Sequence, residues 1–319
     1  MRLKLVPKNT SWDFFSRSKL WIGISIVLVV LSLLSFFIQS LNFGIDFRGG
    51  TSIRTESLEP IDVADYRRAL SSLDLGDITI SEVFDPNFAD DQNVAMIRIQ
   101  AQPGQEAATS TLVENSLQKL QEVSEDIKFV SVESVGPKVS GELIKTAIIA
   151  VILAISAVLF YIWIRFEWQF AIGAISALIH DVILTIGIFS ALQIKFDLAI
   201  IAAILTIVGY SLNDTVVVFD RVRENLRKFK KRSLVEVMNL SINETMSRTV
   251  MTSVTTLLAL ISLFILGGDV IRGFVFAMIW GVVVGTYSSI FIASAILLWT
   301  GVKRDWSKPN AEAGTQVPQ

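Results

Sequence analysis

No cysteine occurs among the 319 residues. That excludes disulfides, thiol catalysis and cysteine-based metal sites. One histidine, His180, is present, which excludes a His-rich metal cluster. No nucleophile, base and orienting group cluster recognisably, so a hydrolytic enzyme is not expected. The Gly-Gly turn at 49–50 is followed by no Lys-Ser or Lys-Thr pair, so it is no phosphate-cradling loop. No cofactor is implied. What the chain has in abundance is apolar side chains: 52% of its residues are hydrophobic and the mean hydropathy is +0.56. An ordinary soluble domain is not that greasy, and a multi-spanning membrane protein is expected. The net charge of −2 says less than where the charges lie.

A membrane-spanning helix needs about 20 mostly apolar residues. Six runs qualify, at 20–38, 142–163, 168–190, 197–219, 248–267 and 272–299. The first follows a basic arm (Arg2, Lys4, Lys8, Arg17, Lys19). No small-residue cleavage pattern comes after it, so it reads as an uncleaved helix rather than a signal peptide. Basic residues select the cytoplasmic side. The arm 1–19, the turn with Arg165, the segment 220–247 with Arg221, Arg223, Arg227, Lys228, Lys230, Lys231 and Arg232, and the tail 300–319 with Lys303 and Arg304 all fall on one side. Both termini are therefore expected in the cytoplasm. The remainder divides into an external domain, 42–140, and a five-helix bundle, 142–299. Within the basic segment, 233–246 has the apolar spacing of an amphipathic helix lying at the interface. The end of the tail, from 307 onward, has the composition of a disordered segment.

The external domain reads as strand 43–55, helix 61–73, strand 78–84, strand 93–100, helix 105–123 and strand 127–135. Ile78 to Phe84 alternates apolar and polar, as a half-buried strand does. The order βαββαβ is that of an α+β ferredoxin-like split motif.

Asp214 is the feature that bears most on function. It lies inside an apolar helix, where a charge costs about 2.5–3.5 kcal/mol on insertion scales. Arg248 opens the next apolar run, at similar depth from the loop between the two spans, and is a candidate counter-charge. An aspartate beside an arginine can release and take up a proton as the guanidinium approaches or withdraws; the arginine itself does not titrate. The bland alternative is a static ion pair with a snorkelling arginine. Tyr210 and Ser211 share the helical face of Asp214, Asn213 is its neighbour, and Thr252 shares the face of Arg248. His180-Asp181 sits in mid-span as either a second proton station or a hydrogen-bonded clamp between helices. Gly44, Asp46, Gly49 and Gly50, with Arg48 among them, form a motif read as structural, the glycines permitting tight turns.

Three stretches carry a resemblance: Phe43-Gly-Ile-Asp-Phe-Arg-Gly-Gly50, the long run from Gly209 through Ser211-Leu-Asn-Asp-Thr215 to Asn225, and Ile242-Asn-Glu-Thr-Met-Ser-Arg-Thr249 onward. Together they resemble the SecD/SecF family of protein-export membrane proteins, within the resistance–nodulation–division-like group. The resemblance implies pairing with a SecD-type sister subunit, association with YajC and the SecYEG translocon, an unfolded preprotein as substrate, and use of the proton-motive force for late translocation. It implies the bacterial inner membrane, with 42–140 in the periplasm. It assigns proton transport to Asp214 and Arg248. Half of a small-molecule exporter and a non-conducting translocon scaffold stand as alternatives.

Overall fold

The computed structural model describes residues 10–302 apart from 74, 77, 84, 86–87, 90–91 and 102–109. Phe84, the start of the second external-domain helix at 105–109, the basic residues Arg2, Lys4, Lys8, Lys303 and Arg304 and the tail beyond them therefore lie outside the described residues. Among the described residues, six helices are long and apolar enough to cross a membrane. They are α1 (Ser18–Gln39), α5 (Pro137–Arg165), α6 (Trp168–Ala191), α7 (Leu198–Lys228), α8 (Leu234–Leu266) and a sixth that runs as α9 (Asp269–Ser288), one π segment (Ser289–Ala293) and α10 (Ser294–Trp299).

Between α1 and α5 come β1 (Asn42–Phe43), the short α2 (Ile45–Arg48), β2 (Gly50–Ser57), α3 (Val63–Leu70), β3 (Ile78–Val83), β4 (Asn93–Gln100), α4 (Ser110–Gln121) and β5 (Lys128–Val135). The strand expected over 43–55 is thus broken. Gly49 and Gly50 have φ of +73° and +133°, and this turn ends α2 and starts β2. Strands β3-β4-β2-β5 form one antiparallel sheet in that order. Apolar residues of one sheet face, Ile53, Ile80, Ala95, Ile97 and Ile99, pack with Tyr66 and Leu70 of α3 and Leu120 of α4 into a separate core. Helix α3 begins on Asp62, whose carboxylate accepts from the Ala64 amide at 2.7 Å, an N-cap.

The bundle is centred on α6, α7 and α9. Phe170, Ala174, Phe219, Val222, Met238, Ile242 and Ala293 fill one end of it. Leu41, Phe189, Phe196, Ile200, Ala203 and Ile207 fill the other, beneath the α+β domain. Helices α1 and α5 and the last turns of α8 leave rows of large apolar side chains exposed, among them Leu31, Leu34, Ile152, Leu153, Trp163, Leu258 and Leu266. In lipid those rows are already in a matching solvent.

The interfacial helix expected over 233–246 is not separate. It is the first third of α8, which runs unbroken for 33 residues, about 50 Å at the helical rise. Ser233 and Glu236 close a capping box at its start. Val237, Met238, Ser241, Ile242, Thr245, Met246 and Thr249 are all buried, and this continuous stripe packs against α7 across the boundary where a break was expected. No proline or glycine interrupts it. Helix α7 likewise continues to Lys228. The loop assigned to 220–247 shrinks to Phe229–Ser233, where Arg232 covers the Phe229 ring at 4.4 Å. The N-terminal arm docks on the same helix: Asn239 and Asn243 accept from the amides of Phe14 and Trp12, each at 2.9 Å.

Candidate functional site

Asp214 lies in α7 and is 7% exposed. Its Oδ1 accepts from Thr249 Oγ1 of α8 at 2.7 Å, and its Oδ2 accepts from Ser289 Oγ of the π segment at 3.0 Å. Two neutral hydroxyls from two helices therefore hold the carboxyl. Arg248 is the residue before Thr249, so on a helix it points about 100° away. Its side chain is exposed. It lies within electrostatic range of Asp214, yet no hydrogen bond or ion pair joins the two among the described residues.

Arg248 instead lines a cavity of about 1120 Å³ at the end of the bundle away from the α+β domain. Asn213, Val216 and Val217 of α7 and Thr245 of α8 line it too. At its rim Arg165 bonds Asp220 at 3.1 Å, and Arg221 bonds Glu244 at 2.7 Å. The cavity lies at the basic end of the molecule, and Asn213, the chain neighbour of Asp214, is part of its lining.

The other expected residues fall in distinct places. Ser211 is fully buried but donates to Asp181, not to Asp214, at 2.6 Å. Asp181 Oδ2 also accepts from Ser288 Oγ at 2.7 Å, while Oδ1 meets His180 Nδ1 at 3.0 Å. His180 and Asp181, 5% and 1% exposed, thus meet each other although they are adjacent on a helix. Tyr210 is half-buried on the α7 face expected for it, its hydroxyl enclosed and without a hydrogen-bond partner among the described residues. Thr252 is exposed and bonds back to carbonyls of its own helix at Arg248 and Thr249. Thr249, Ser288 and Ser289 were not singled out by the sequence. Thr249 sits inside the Ser-Arg-Thr run, and the Ser-Ser pair interrupts an apolar span; those are the only signals the sequence offers.

The glycine motif lies at the opposite end. Asp46 Oδ2 accepts from the Leu198 amide, the first residue of α7, at 3.0 Å. The Gly44 amide donates to the Phe196 carbonyl at 2.8 Å, and β1 pairs in parallel with β6 (Lys195–Phe196). The motif therefore fastens the neck of the α+β domain to the start of α7. A Cβ on Gly50 would stand 2.3 Å from the Ile99 carbonyl oxygen, so the turn has no room for a side chain.

Comparison with known proteins agrees with this architecture. The family model described as "Protein export membrane protein SecD/SecF, C-terminal" matches residues 115–303, and "SecD/SecF GG Motif" matches 34–57. The protein translocase subunit SecF of Cereibacter sphaeroides is 58% identical over 315 residues, covering 99% of this chain and 97% of that protein. The protein of the same name from Rhodobacter capsulatus is 57% identical, covering 96% and 94%. A crystal structure of SecDF, a translocon-associated membrane protein from Thermus thermophilus, superposes with a TM-score of 0.81 at 33% identity over 94% of this chain. This chain spans about 40% of that longer one. With a family model over more than half its length and full-length relatives well above 30% identity, the chain belongs to the SecD/SecF family of protein-export membrane proteins.

Proposed function

We propose that this chain is a subunit of the Sec protein-export machinery that uses the proton-motive force to move unfolded preproteins. The observation that carries this reading is Asp214: an acid buried in a spanning helix, held by two neutral hydroxyls, with the guanidinium of Arg248 in an adjoining cavity. Neutral donors tolerate either protonation state of a carboxyl, whereas a direct salt bridge would fix it as the anion. Arg248 supplies the counter-charge by approach and withdrawal. A proton crossing the field gains about 2.3 kcal/mol per 100 mV, which shifts a two-state equilibrium more than tenfold.

In this reading the partner is a SecD-type subunit, with the SecYEG channel and YajC in the wider complex. The two-part name of the SecDF neighbour supports the pairing. Both termini and the cavity face the cytoplasm and the α+β domain faces the periplasm, supported by the basic residues gathered at one end. The sheet order β3-β4-β2-β5, covered by α3 and α4, supports a ferredoxin-like reading of the domain. The role is that of a transport component rather than an enzyme.

The test is preprotein export by inverted vesicles with and without a proton gradient. Wild type is expected to be stimulated by the gradient. Asp214→Asn, which keeps shape and loses the titratable group, is expected to lose at least tenfold of the gradient-dependent part. Full stimulation in a correctly assembled Asp214→Asn complex would leave a scaffold role instead, and gradient-driven dye transport would favour a small-molecule exporter.

A further inference from the structure

The second buried acid, Asp181, has no part in the function just proposed, yet it is wired to the first. Ser288, the last residue of α9, and Ser289, the first of the π segment, are consecutive in span six. Ser288 donates to Asp181 and Ser289 to Asp214. A second bridge runs through α7, which carries both Asp214 and Ser211, the other hydroxyl on Asp181. Residues of α6, α7, α8 and span six thus hold the two carboxyls in one buried network.

Each serine has a single hydroxyl proton and two acceptors to choose from. Ser288 Oγ is also 3.2 Å from the Gly285 carbonyl, and Ser289 Oγ 3.0 Å from the Thr286 carbonyl. A carboxylate accepts from the serine; a protonated carboxyl donates to it. Protonation therefore turns the serine proton away from the acid and onto the carbonyl one turn back. Because the two serines share one turn, the change at one acid alters the helix segment that holds the other. A π turn is a local departure from α-helical bonding and is often found at functional sites.

The titratable and charged groups around this network are few. His180 of α6 meets Asp181, and its Nε2 is buried without a partner among the described residues. Tyr287 of α9 lies against the His180 ring at 6.1 Å, its hydroxyl bonded to Ser25 and to the Trp21 carbonyl of α1. Tyr210 lies one turn before Asp214 on α7, and Arg248 of α8 is within electrostatic range of Asp214. From α1 and α5 no charged group bonds either acid among the described residues.

We infer that Asp181 and Asp214 titrate as one coupled unit, joined through the Ser288–Ser289 turn, rather than as a proton site and a passive clamp. This rests on Asp214 being a proton-binding group. The experiment is pH-titrated infrared difference spectroscopy of the full chain in nanodiscs, with carboxyl bands assigned by Asp214→Asn and Asp181→Asn. Two interacting acids show two macroscopic steps that belong to the pair. In Asp181→Asn the Asp214 band is expected to follow a single-site curve, its midpoint displaced by about one pH unit. Ser288→Ala combined with Ser289→Ala should uncouple the bands with both acids present. Ser288→Thr with Ser289→Thr, which keeps the hydroxyls, should restore the coupling and so separate lost wiring from misfolding. An Asp214 midpoint unchanged in Asp181→Asn and in the double alanine variant overturns the inference. If no Asp214 band titrates in wild type, the proton-coupled function falls as well, an outcome distinct from titration without coupling.

Discussion

Of the two hydroxyls that hold Asp214, the shorter bond comes from Thr249. Thr249→Val removes the donor at 2.7 Å while keeping the branched shape. An orphaned buried acceptor costs about 1–3 kcal/mol, so the variant is expected to unfold earlier in a detergent thermal melt. Its gradient-driven export should also change its pH profile, which a purely structural loss would not do. A second carboxylate acts outside the membrane. Asp126 accepts from the Ser124 hydroxyl, the Leu58 amide and the Ser57 hydroxyl, and those bonds hold it below the usual aspartate range. A depressed folded value means that its contribution is complete above the unfolded value, about pH 3.9. The contribution is lost as pH falls through the folded value. Acid should therefore loosen the Leu58 amide in hydrogen exchange, and Asp126→Asn should abolish that pH dependence. Asp214 was legible in the sequence because a charge in an apolar run stands out. Ser288 and Ser289 were not, because hydroxyls are common in membrane helices and most bond only to their own backbone, as Thr206 and Ser262 do here. Counting gave Arg248 a depth similar to that of Asp214, but counting along one helix cannot say that Thr249 is the side chain that turns inward.

Elements fail or hold by different rules. The apolar runs located all six spans, since a run of that length has few other uses. Where α7 and α8 end was not legible. Charges on 220–232 suggested a loop, but the stripe from Val237 to Thr249 packs on α7, and tertiary burial outweighs surface charge. The first strand of the α+β domain was drawn too long because its pattern of apolar residues continues through Gly49 and Gly50, where the backbone turns. Gly50→Ala meets both a φ of +133° and a carbonyl at 2.3 Å. Strain of that kind costs about 1–3 kcal/mol, and the β2–β4 amides should lose exchange protection accordingly. Packing within the bundle has its own tight point. A Cβ at Gly281 would stand 2.3 Å from Ile207 Cγ1, so Gly281→Leu is expected to part α9 from α7 and lower the yield of folded protein in a size-exclusion assay, with Gly281→Ala intermediate.

At the scale of the whole molecule, the α+β domain is fastened to the bundle at a neck. Among the described residues, that neck includes the bonds of Asp46 to the Leu198 amide, Gly44 to the Phe196 carbonyl and Asn42 to the Gln193 carbonyl at 2.9 Å, together with the two-residue ladder. Asp46→Ala removes one charge-assisted bond, worth about 1.5–3 kcal/mol. Spin labels on α3 and α6 should then show a broader distance distribution, while the Asp214 infrared band should titrate as in wild type. Unchanged distances would mean that the other neck contacts hold the domain without Asp46.

The helix that begins at that neck is the one that carries the acid. Helix α7 has 31 residues and no proline, so it behaves as a stiff rod of about 46 Å. Whatever tilts it at the level of Asp214 swings its far end, and the strap of Asn42–Phe43 goes with it. In the function proposed above, a proton taken up at Asp214 would have a mechanical line along α7 to the folded domain at its far end, with no proline hinge in between.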